Sequence, residues 1–196
     1  MKAVLIFSCE HGGNKVPREF GHAFEGRRGW LRSHRAFDPG ALALAQLLAR
    51  RLRAPLQYSE VTRLVADLNR VVPESIFSES PVAWTNAQRE HLLRRYHRPY
   101  HAKVRGLVAS AIAREHTVVH ISVHTFTPVL RGVRRTASVG LLFDPSRPLE
   151  EAFCEAWARS FRALRPRMSL KMNYPYAGAA ESLTSALRRQ FSAGRY

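Results

Sequence analysis

The sequence predicts an α/β fold built on a mainly parallel or mixed β-sheet. Segments with the apolar pattern of buried strands alternate along the chain with segments of helical periodicity, which is the order typical of α/β proteins. Polar residues follow directly after several predicted strands, where open α/β sheets bind their ligands. Hydrophobic residues make up 45% of the 196 residues, enough for one core, so we expect a single domain over residues 1–196.

The first two predicted elements are a buried strand and a helix. The apolar run KAVLIFSC (2–9) predicts a buried strand, which the turn-forming residues Glu-His-Gly-Gly-Asn terminate. The Ala- and Leu-rich segment 36–54 predicts a helix with Asp38 as its N-cap and Pro39 in its first turn. A carboxylate at a helix start can also face a site, so the role of Asp38 stays open at this point.

The remaining elements are predicted from the same two periodicities. In the first half they are the extended segments PLQYSEV (55–61) and TRLVADLN (62–69), the irregular residues 18–36 and 71–84, and a long helix over 85–115 that Pro99 kinks or breaks. In the second half they are the strands TVVHISVHTF (117–126) and ASVGLLFD (137–144), a helix over 148–164, a short strand SLKMNYPY (169–176) and a last helix SLTSALRRQF (182–191).

Charge and composition limit the partners and the cellular compartment. The formal net charge is +16, but the basic pairs are scattered and no helix-turn-helix, zinc-finger or RNP-like pattern occurs, so we expect no specific nucleic-acid partner. No apolar run approaches the roughly 20 residues of a membrane span, and the apolar start is interpreted as a first strand rather than a signal peptide. The two cysteines are far apart in the sequence, which favours a reducing compartment and predicts a cytoplasmic protein.

The stretch HISVHTF (120–126) places two histidines in an apolar strand. Because side chains alternate between the faces of a strand, His120, Ser122 and His124 share one face. Burying these groups costs free energy unless something binds them. His120 lies deeper in the strand and is expected to be structural, whereas His124 lies at its end and is a candidate site residue.

Polar groups at the ends of three predicted strands form the candidate site. They are Glu10-His11-Gly-Gly-Asn14, Asp67-Leu68-Asn69-Arg70 and His124-Thr125, and they converge if the strands are parallel. Histidine nitrogens and a carboxylate are ligands that zinc prefers. An arginine grips a carboxylate with two hydrogen bonds, and Asn69 beside Arg70 adds polar groups that orient it. This set predicts an enzyme that cuts an amide bond in a small acidic molecule.

At these residues the chain resembles the N-formylglutamate amidohydrolase family. The matching segments are SCEHGGNKVP (8–17), HRAFDPGALALAQLLA (34–49), TRLVADLNR (62–70), YHRPYH (96–101), HISVHTFTPVLRG (120–132), SVGLLFDP (138–145) and NYPYAGAAESLTSALRRQF (173–191). The resemblance implies a branch of the zinc carboxypeptidase and aspartoacylase group, with a phosphorylase/hydrolase-like three-layer sandwich. It also implies one zinc ion and hydrolysis of a small acidic N-acyl amino acid.

The resemblance maps roles onto particular residues. His11 and His124 correspond to metal ligands, while Asn14 stands where the related group has a glutamate, so a carboxylate is needed from elsewhere. Asp38 is the preferred third ligand, with Asn14 and Glu10 as alternatives. Further candidates are Asn69 and Arg70 for the substrate carboxylate, Arg63 and His101 as supporting substrate-binding residues, and Arg134 or Arg135 to stabilise an oxyanion.

One departure from the family pattern leaves an alternative open. Relatives of this type continue into a strand of the form Gly-Ile-Glu-Leu-Glu and a closing helix, and that glutamate resembles a general acid/base. This chain reaches Tyr196 before that strand and helix. The alternative is therefore a catalytically impaired member that binds zinc or an acidic metabolite without turnover. The acyl group, the amino acid and the oligomeric state stay open.

Overall fold

The computed structural model of the protein describes residues 2–130 and 132–196 and divides them into two compact units. The first unit contains the chain up to Phe126 together with Ser182–Tyr196, and the second contains Thr127–Glu181. Parallel strands and helices make up both, so the predicted α/β fold with a parallel sheet is confirmed. Whether the chain acts as one domain stays a prediction.

The elements of the first unit follow one another in the order expected of crossover connections. They are β1 (Ala3–Cys9), a 3-10 helix (Arg18–Phe24), α1 (Arg28–Leu31), α2 (Ala41–Leu52), β2 (Leu56–Tyr58), α3 (Pro73–Ile76), α4 (Asn86–Leu92), a π-helical turn (Leu93–His97), α5 (Arg98–Ala113), β3 (Thr117–Ser122) and, after the second unit, α7 (Leu183–Gln190). The elements of the second unit are β4 (Val129–Leu130), β5 (Val133–Arg134), β6 (Val139–Leu141), α6 (Pro148–Leu164) and β7 (Leu170–Met172).

The sheet of the first unit has the order β2-β1-β3, and both neighbours are parallel to β1. Alternate residues of β1 therefore face opposite helices. Phe7 and Cys9 pack against α2, which presents a stripe of buried alanines at positions 41, 45 and 49. Ile6 packs on the other side against Val108 of α5. The first unit thus has three layers, and the carboxyl ends of all three strands lie at one edge of its sheet.

The second unit is smaller and has its own apolar cluster. Strands β6 and β7 form a parallel pair, and β4 and β5 an antiparallel pair that the sequence did not predict. Leu141 and Phe143 pack against Cys154 and Ala158 of α6. The predicted strands ASVGLLFD and SLKMNYPY are thus present but shorter, at three residues each.

The prediction of a strand over TRLVADLN (62–69) is wrong, because residues 62–70 form turns after a single bridge between Lys15 and Val61. Leu64, Val65 and Ala66 are apolar because they pack with Phe20 and Trp84 in a cluster outside the sheet. A run of buried apolar residues does not by itself distinguish a strand from a buried turn.

The long helix predicted over 85–115 is interrupted near Pro99, as expected, by the π-helical turn Leu93–His97 between α4 and α5. Proline lacks the N–H that would continue the regular ladder, and a π-turn is one way in which a helix accommodates this. The loop predicted over 71–84 contains the short helix α3. None of the helices within residues 2–130 and 132–196 has both the length and the hydropathy that crossing a membrane requires.

Gly13 lies where the chain that follows β1 passes closely over residues 59–61. The Lys15 N–H donates to the Glu60 carbonyl at 2.9 Å, and the Ser59 N–H donates to the Cys9 carbonyl at 3.0 Å. A Cβ atom on Gly13 would lie 2.6 Å from the Glu60 carbonyl oxygen. This contact is with backbone, so it cannot be relieved by a side-chain rotation.

We expect Gly13→Ala to lower the free energy of unfolding by roughly 1–3 kcal/mol, because the two backbone segments must move apart. The matched control is Gly106→Ala in α5, where an added Cβ meets no atom within 4 Å. That change is expected to stabilise the helix by about 0.5–1 kcal/mol. Urea unfolding of both variants measures the difference, and a Gly13→Ala variant as stable as the parent would contradict the described packing.

Candidate metal centre

Three side chains converge beyond the carboxyl ends of β1 and β3. They are His11, Asp38 and His124, whose nitrogen and carboxylate oxygen atoms lie within 4.8 Å of one another. The two imidazole rings are 5.0 Å apart between centroids. His11 and Asp38 are buried, and the side chain of His124 is 29% exposed. The group is therefore reached from solvent on the His124 side.

The parallel pairing of the strands explains this convergence. His11 lies two residues after the end of β1, and His124 lies two residues after the end of its neighbour β3. Asp38 is fixed by the backbone, since its N–H donates to the His11 carbonyl at 2.9 Å. The predicted N-cap role of Asp38 is wrong: Gly40, in a left-handed conformation with φ of 84°, is the N-cap of α2. The alternative interpretation, a carboxylate facing a site, matches the structure.

One oxygen of Asp38 is shared by both histidines. The Nδ1 atom of His124 lies 2.8 Å from Oδ2 of Asp38, and Nδ1 of His11 lies 3.5 Å from the same oxygen. The other carboxylate oxygen, Oδ1, accepts a hydrogen bond from the Arg63 guanidinium. Among the residues that the structure describes, Nδ1 of His11 is buried without a hydrogen-bond partner. A buried imidazole nitrogen without a partner calls for an explanation, and a role as a metal ligand is one.

The second nitrogen of each imidazole is held by a different buried carboxylate. Nε2 of His11 lies 2.6 Å from Oδ1 of Asp67, and Nε2 of His124 lies 3.1 Å from Oε2 of Glu10. Histidines that bind metals usually donate their other N–H to a carboxylate, which fixes the ring orientation and the tautomer. Both Nδ1 atoms are thereby directed towards Asp38.

Glu10 is fully buried and extensively hydrogen bonded. The Tyr100 hydroxyl of α5 donates to its Oε1 at 3.0 Å, and the Ser122 hydroxyl donates to its Oε2 at 2.5 Å. Burial alone would raise the pKa of Glu10, but hydrogen bonds with His124, Ser122 and Ser8 outweigh it and hold the pKa well below the usual range. Glu10 is therefore an anion that supports His124.

The pKa values of the other groups show the same competition. Burial would raise the pKa of Asp38, but its contacts with His11 and His124 and the nearby Arg63 charge keep it well below normal. The charge and hydrogen bond of His11 likewise lower the pKa of Asp67 to about 2 despite its burial. Burial would lower the pKa of His124, but hydrogen bonds to Asp38 and Glu10 raise it to about 10. When both imidazoles are neutral, as metal ligands must be, the three carboxylates exceed the single guanidinium of Arg63 by two negative charges.

The loop that carries Asp67 also carries the predicted substrate-binding pair. The Asn69 N–H donates to Oδ1 of Asp67 at 2.9 Å, and the Asn69 side-chain oxygen accepts from the Leu183 N–H at the start of α7. Arg70 is exposed on the same loop. The loop therefore joins the candidate metal centre to an exposed arginine.

The other residues named in the sequence analysis lie outside the group of His11, Asp38 and His124. Asn14 is exposed and its amide donates to the Leu31 carbonyl, and His101 contacts the Leu68 carbonyl with Nε2 at 2.8 Å. His120 lies between Ser8 and Tyr196, at 2.8 Å from each hydroxyl, as expected of a structural residue.

Arg134 is exposed in β5 of the second unit, and its catalytic role stays a prediction. Sequence reasoning assigned no role to Asp67, although it recognised the Asp-Leu-Asn-Arg motif.

The fold and the site define an α/β protein with a candidate metal centre at the carboxyl ends of a parallel sheet. A family model described as N-formylglutamate amidohydrolase matches residues 3–194. The chain belongs to this family of hydrolases.

A solved structure supports the same fold. The crystal structure of gene product Atu2144 from Agrobacterium tumefaciens has 30% sequence identity with this chain and a TM-score of 0.77. The match covers 93% of this chain and 74% of that one. No curated protein matches the sequence significantly.

Proposed function

We propose that the protein is a zinc-dependent amidohydrolase that acts on small acidic N-acyl amino acids such as N-formylglutamate. In this reaction water and the amide give a carboxylate, formate for a formyl group, and the free amino acid. The observation that carries the proposal is the buried Nδ1 atom of His11, 3.5 Å from the carboxylate oxygen of Asp38 that His124 also contacts. Membership of the amidohydrolase family supports the reaction type.

The residues of this group fit a zinc ion. Two imidazole nitrogens and one carboxylate oxygen are zinc ligands, and three protein ligands are the number found in catalytic zinc sites. A divalent cation would also offset the two excess negative charges of Glu10, Asp38 and Asp67 over Arg63. When bound, zinc polarises a substrate carbonyl and lowers the pKa of water.

The residues around the ligands hold them in place. Asp67 and Glu10 accept hydrogen bonds from the two imidazoles and so keep both Nδ1 lone pairs directed at the ion's position. Arg63 donates to one oxygen of Asp38, Oδ1, and the other oxygen, Oδ2, is the one that would bind the ion. This contact favours a role for Arg63 in positioning Asp38 over direct binding of the substrate.

Arg70 and Asn69 are proposed to bind the substrate carboxylate. Arg70 is exposed on the loop that carries Asp67, and a guanidinium forms two parallel hydrogen bonds with a carboxylate. Asn69 is anchored to α7 through its side-chain oxygen, which leaves its amide N–H groups as donors. His101 holds the same loop through a hydrogen bond between its Nε2 atom and the Leu68 carbonyl.

The cytoplasm is the proposed compartment. Both cysteines, Cys9 and Cys154, are buried and neither is in a disulfide. Cysteines that remain reduced are typical of proteins in a reducing environment.

His11→Ala tests the metal and the reaction together. We expect the parent to bind about one zinc ion per chain and to release glutamate from N-formyl-L-glutamate, and the variant to lose both, with activity falling more than about 100-fold. Bound zinc is measured by elemental analysis and glutamate by an amine assay. The matched control is His22→Ala, which removes an exposed histidine and should retain both properties.

The outcomes separate the parts of the proposal. Equal zinc content in His11→Ala and the parent would contradict the ligand assignment. A parent that holds zinc but hydrolyses neither N-formyl-L-glutamate nor other N-acyl amino acids would contradict the reaction and favour binding without turnover.

Arg70→Gln tests the substrate carboxylate site. Losing a charged two-pronged contact should raise KM for N-formyl-L-glutamate roughly tenfold or more and leave kcat nearly unchanged, because the contact is the same in the ground and transition states. Steady-state kinetics measures both constants. Arg50→Gln on α2, also exposed, is the matched control for the loss of one positive charge. An unchanged KM in Arg70→Gln would remove Arg70 from the substrate site.

A further inference from the structure

A second cleft of the first unit lies between α5 and α7 and has a volume of about 570 Å³. None of its described lining residues is His11, Asp38 or His124, or either of the two buried carboxylates around them, Glu10 and Asp67. A cleft of this size is in the range that holds a small organic molecule.

The charged residues that line this cleft are all basic. They include three arginines, Arg98, Arg105 and Arg189, and no acidic residue belongs to the described lining. Arg98 is neutralised by two hydrogen bonds to Glu90, at 2.7 and 2.9 Å. Arg105 and Arg189 are exposed, and within the described chain neither has a carboxylate at ion-pair distance. Two uncompensated guanidinium groups therefore border one cleft.

The other side of the cleft is apolar. Leu183 and Leu187 of α7 are buried beside it, and the small residues Ala102 and Ala186 leave room between the helices. A guanidinium pair next to an apolar surface suits a molecule with an oxyanion at one end and a short hydrocarbon body. A bare inorganic anion would leave the apolar surface unused.

Two stacked histidines connect this cleft to the loop of the metal centre. The rings of His97 and His101 are 4.0 Å apart between centroids, and both residues line the cleft. Their Nε2 atoms contact the carbonyls of Arg70 at 2.7 Å and of Leu68 at 2.8 Å. Burial and the neighbouring His97 lower the pKa of His101 to about 4, so this ring is neutral at pH 7. His101 therefore adds no positive charge to the cleft at pH 7, and the arginines are its permanent cations.

We propose that the cleft between α5 and α7 is a binding site for a small organic anion, a carboxylate or phosphate with a short apolar body, held by Arg105 and Arg189. The site is separate from the metal centre and does not depend on the proposed hydrolysis. Its occupant would contact His97 and His101, which hold the Arg70 and Leu68 carbonyls of the Asp67–Arg70 loop.

Titration of the purified full-length protein with hexanoate, hexyl phosphate and inorganic phosphate tests this site. We expect saturable binding of at least one of the two hexyl compounds by calorimetry, with inorganic phosphate weaker. The imidazole NMR signals of His97 and His101 should shift on binding. The double variant Arg105→Gln/Arg189→Gln should raise the dissociation constant about tenfold or more, since it removes both charged contacts. Whichever hexyl compound binds more tightly identifies the preferred oxyanion.

A matched control separates a local site from the overall positive charge. Arg50→Gln/Arg51→Gln removes two exposed charges from α2, outside the cleft, and should change the dissociation constant less than twofold. Equal weakening in both double variants would overturn the proposal, because attraction would then be long-range. So would the absence of saturable binding, or shifts confined to His11 and His124. None of the probes is an amide, so failure of the proposed hydrolysis would leave these results unchanged.

Discussion

Asp38 is the residue on which the arrangement of this site depends. Its Oδ2 atom lies 2.8 Å from one imidazole nitrogen and 3.5 Å from another, and its Oδ1 atom accepts from Arg63. The Nε2 atom of each imidazole contacts another buried carboxylate, Asp67 for His11 and Glu10 for His124. Removing such charges from water costs several kcal/mol per ion unless opposite charges compensate it. With neutral imidazoles, three carboxylates against one guanidinium are an unbalanced set, and the proposed divalent cation would balance it.

The parallel sheet supplies the geometry that this charge arrangement needs. Because β1 and β3 are neighbours with the same direction, the residues that follow them come together although more than 100 positions separate them in sequence. The turn after β1 also passes close to residues 59–61, which places the loop that carries Asp67 beside His11. The proposed anion cleft lies behind the same loop. The short segment 67–70 thus contacts both the candidate metal centre, through Asp67, and the two histidines that line the second cleft.

Much of this site could be predicted from the sequence. Alternation along HISVHTF placed His120 and His124 on one face, and their positions along the strand indicated that only His124 belongs to the site. The strand-end rule brought His11 and His124 together. The sequence could not indicate that Asp67 supports His11, because the apolar residues 64–66 resembled a strand and in fact fill a cluster of helices and turns. Nor could it indicate that Tyr100 reaches Glu10, since that contact joins residues 90 positions apart through the packing of α5. Contacts of this kind depend on tertiary packing rather than on local pattern.

The central claim is that His11, Asp38 and His124 bind one divalent metal ion through the atoms that face each other. Anomalous scattering from crystals of the zinc-loaded protein, recorded at the zinc absorption edge, tests it most directly. The account predicts one strong peak within coordination distance of Nδ1 of His11, Nδ1 of His124 and Oδ2 of Asp38. A peak bound by other residues, with hydrogen bonds from His124 to Asp38 still in place, would contradict it.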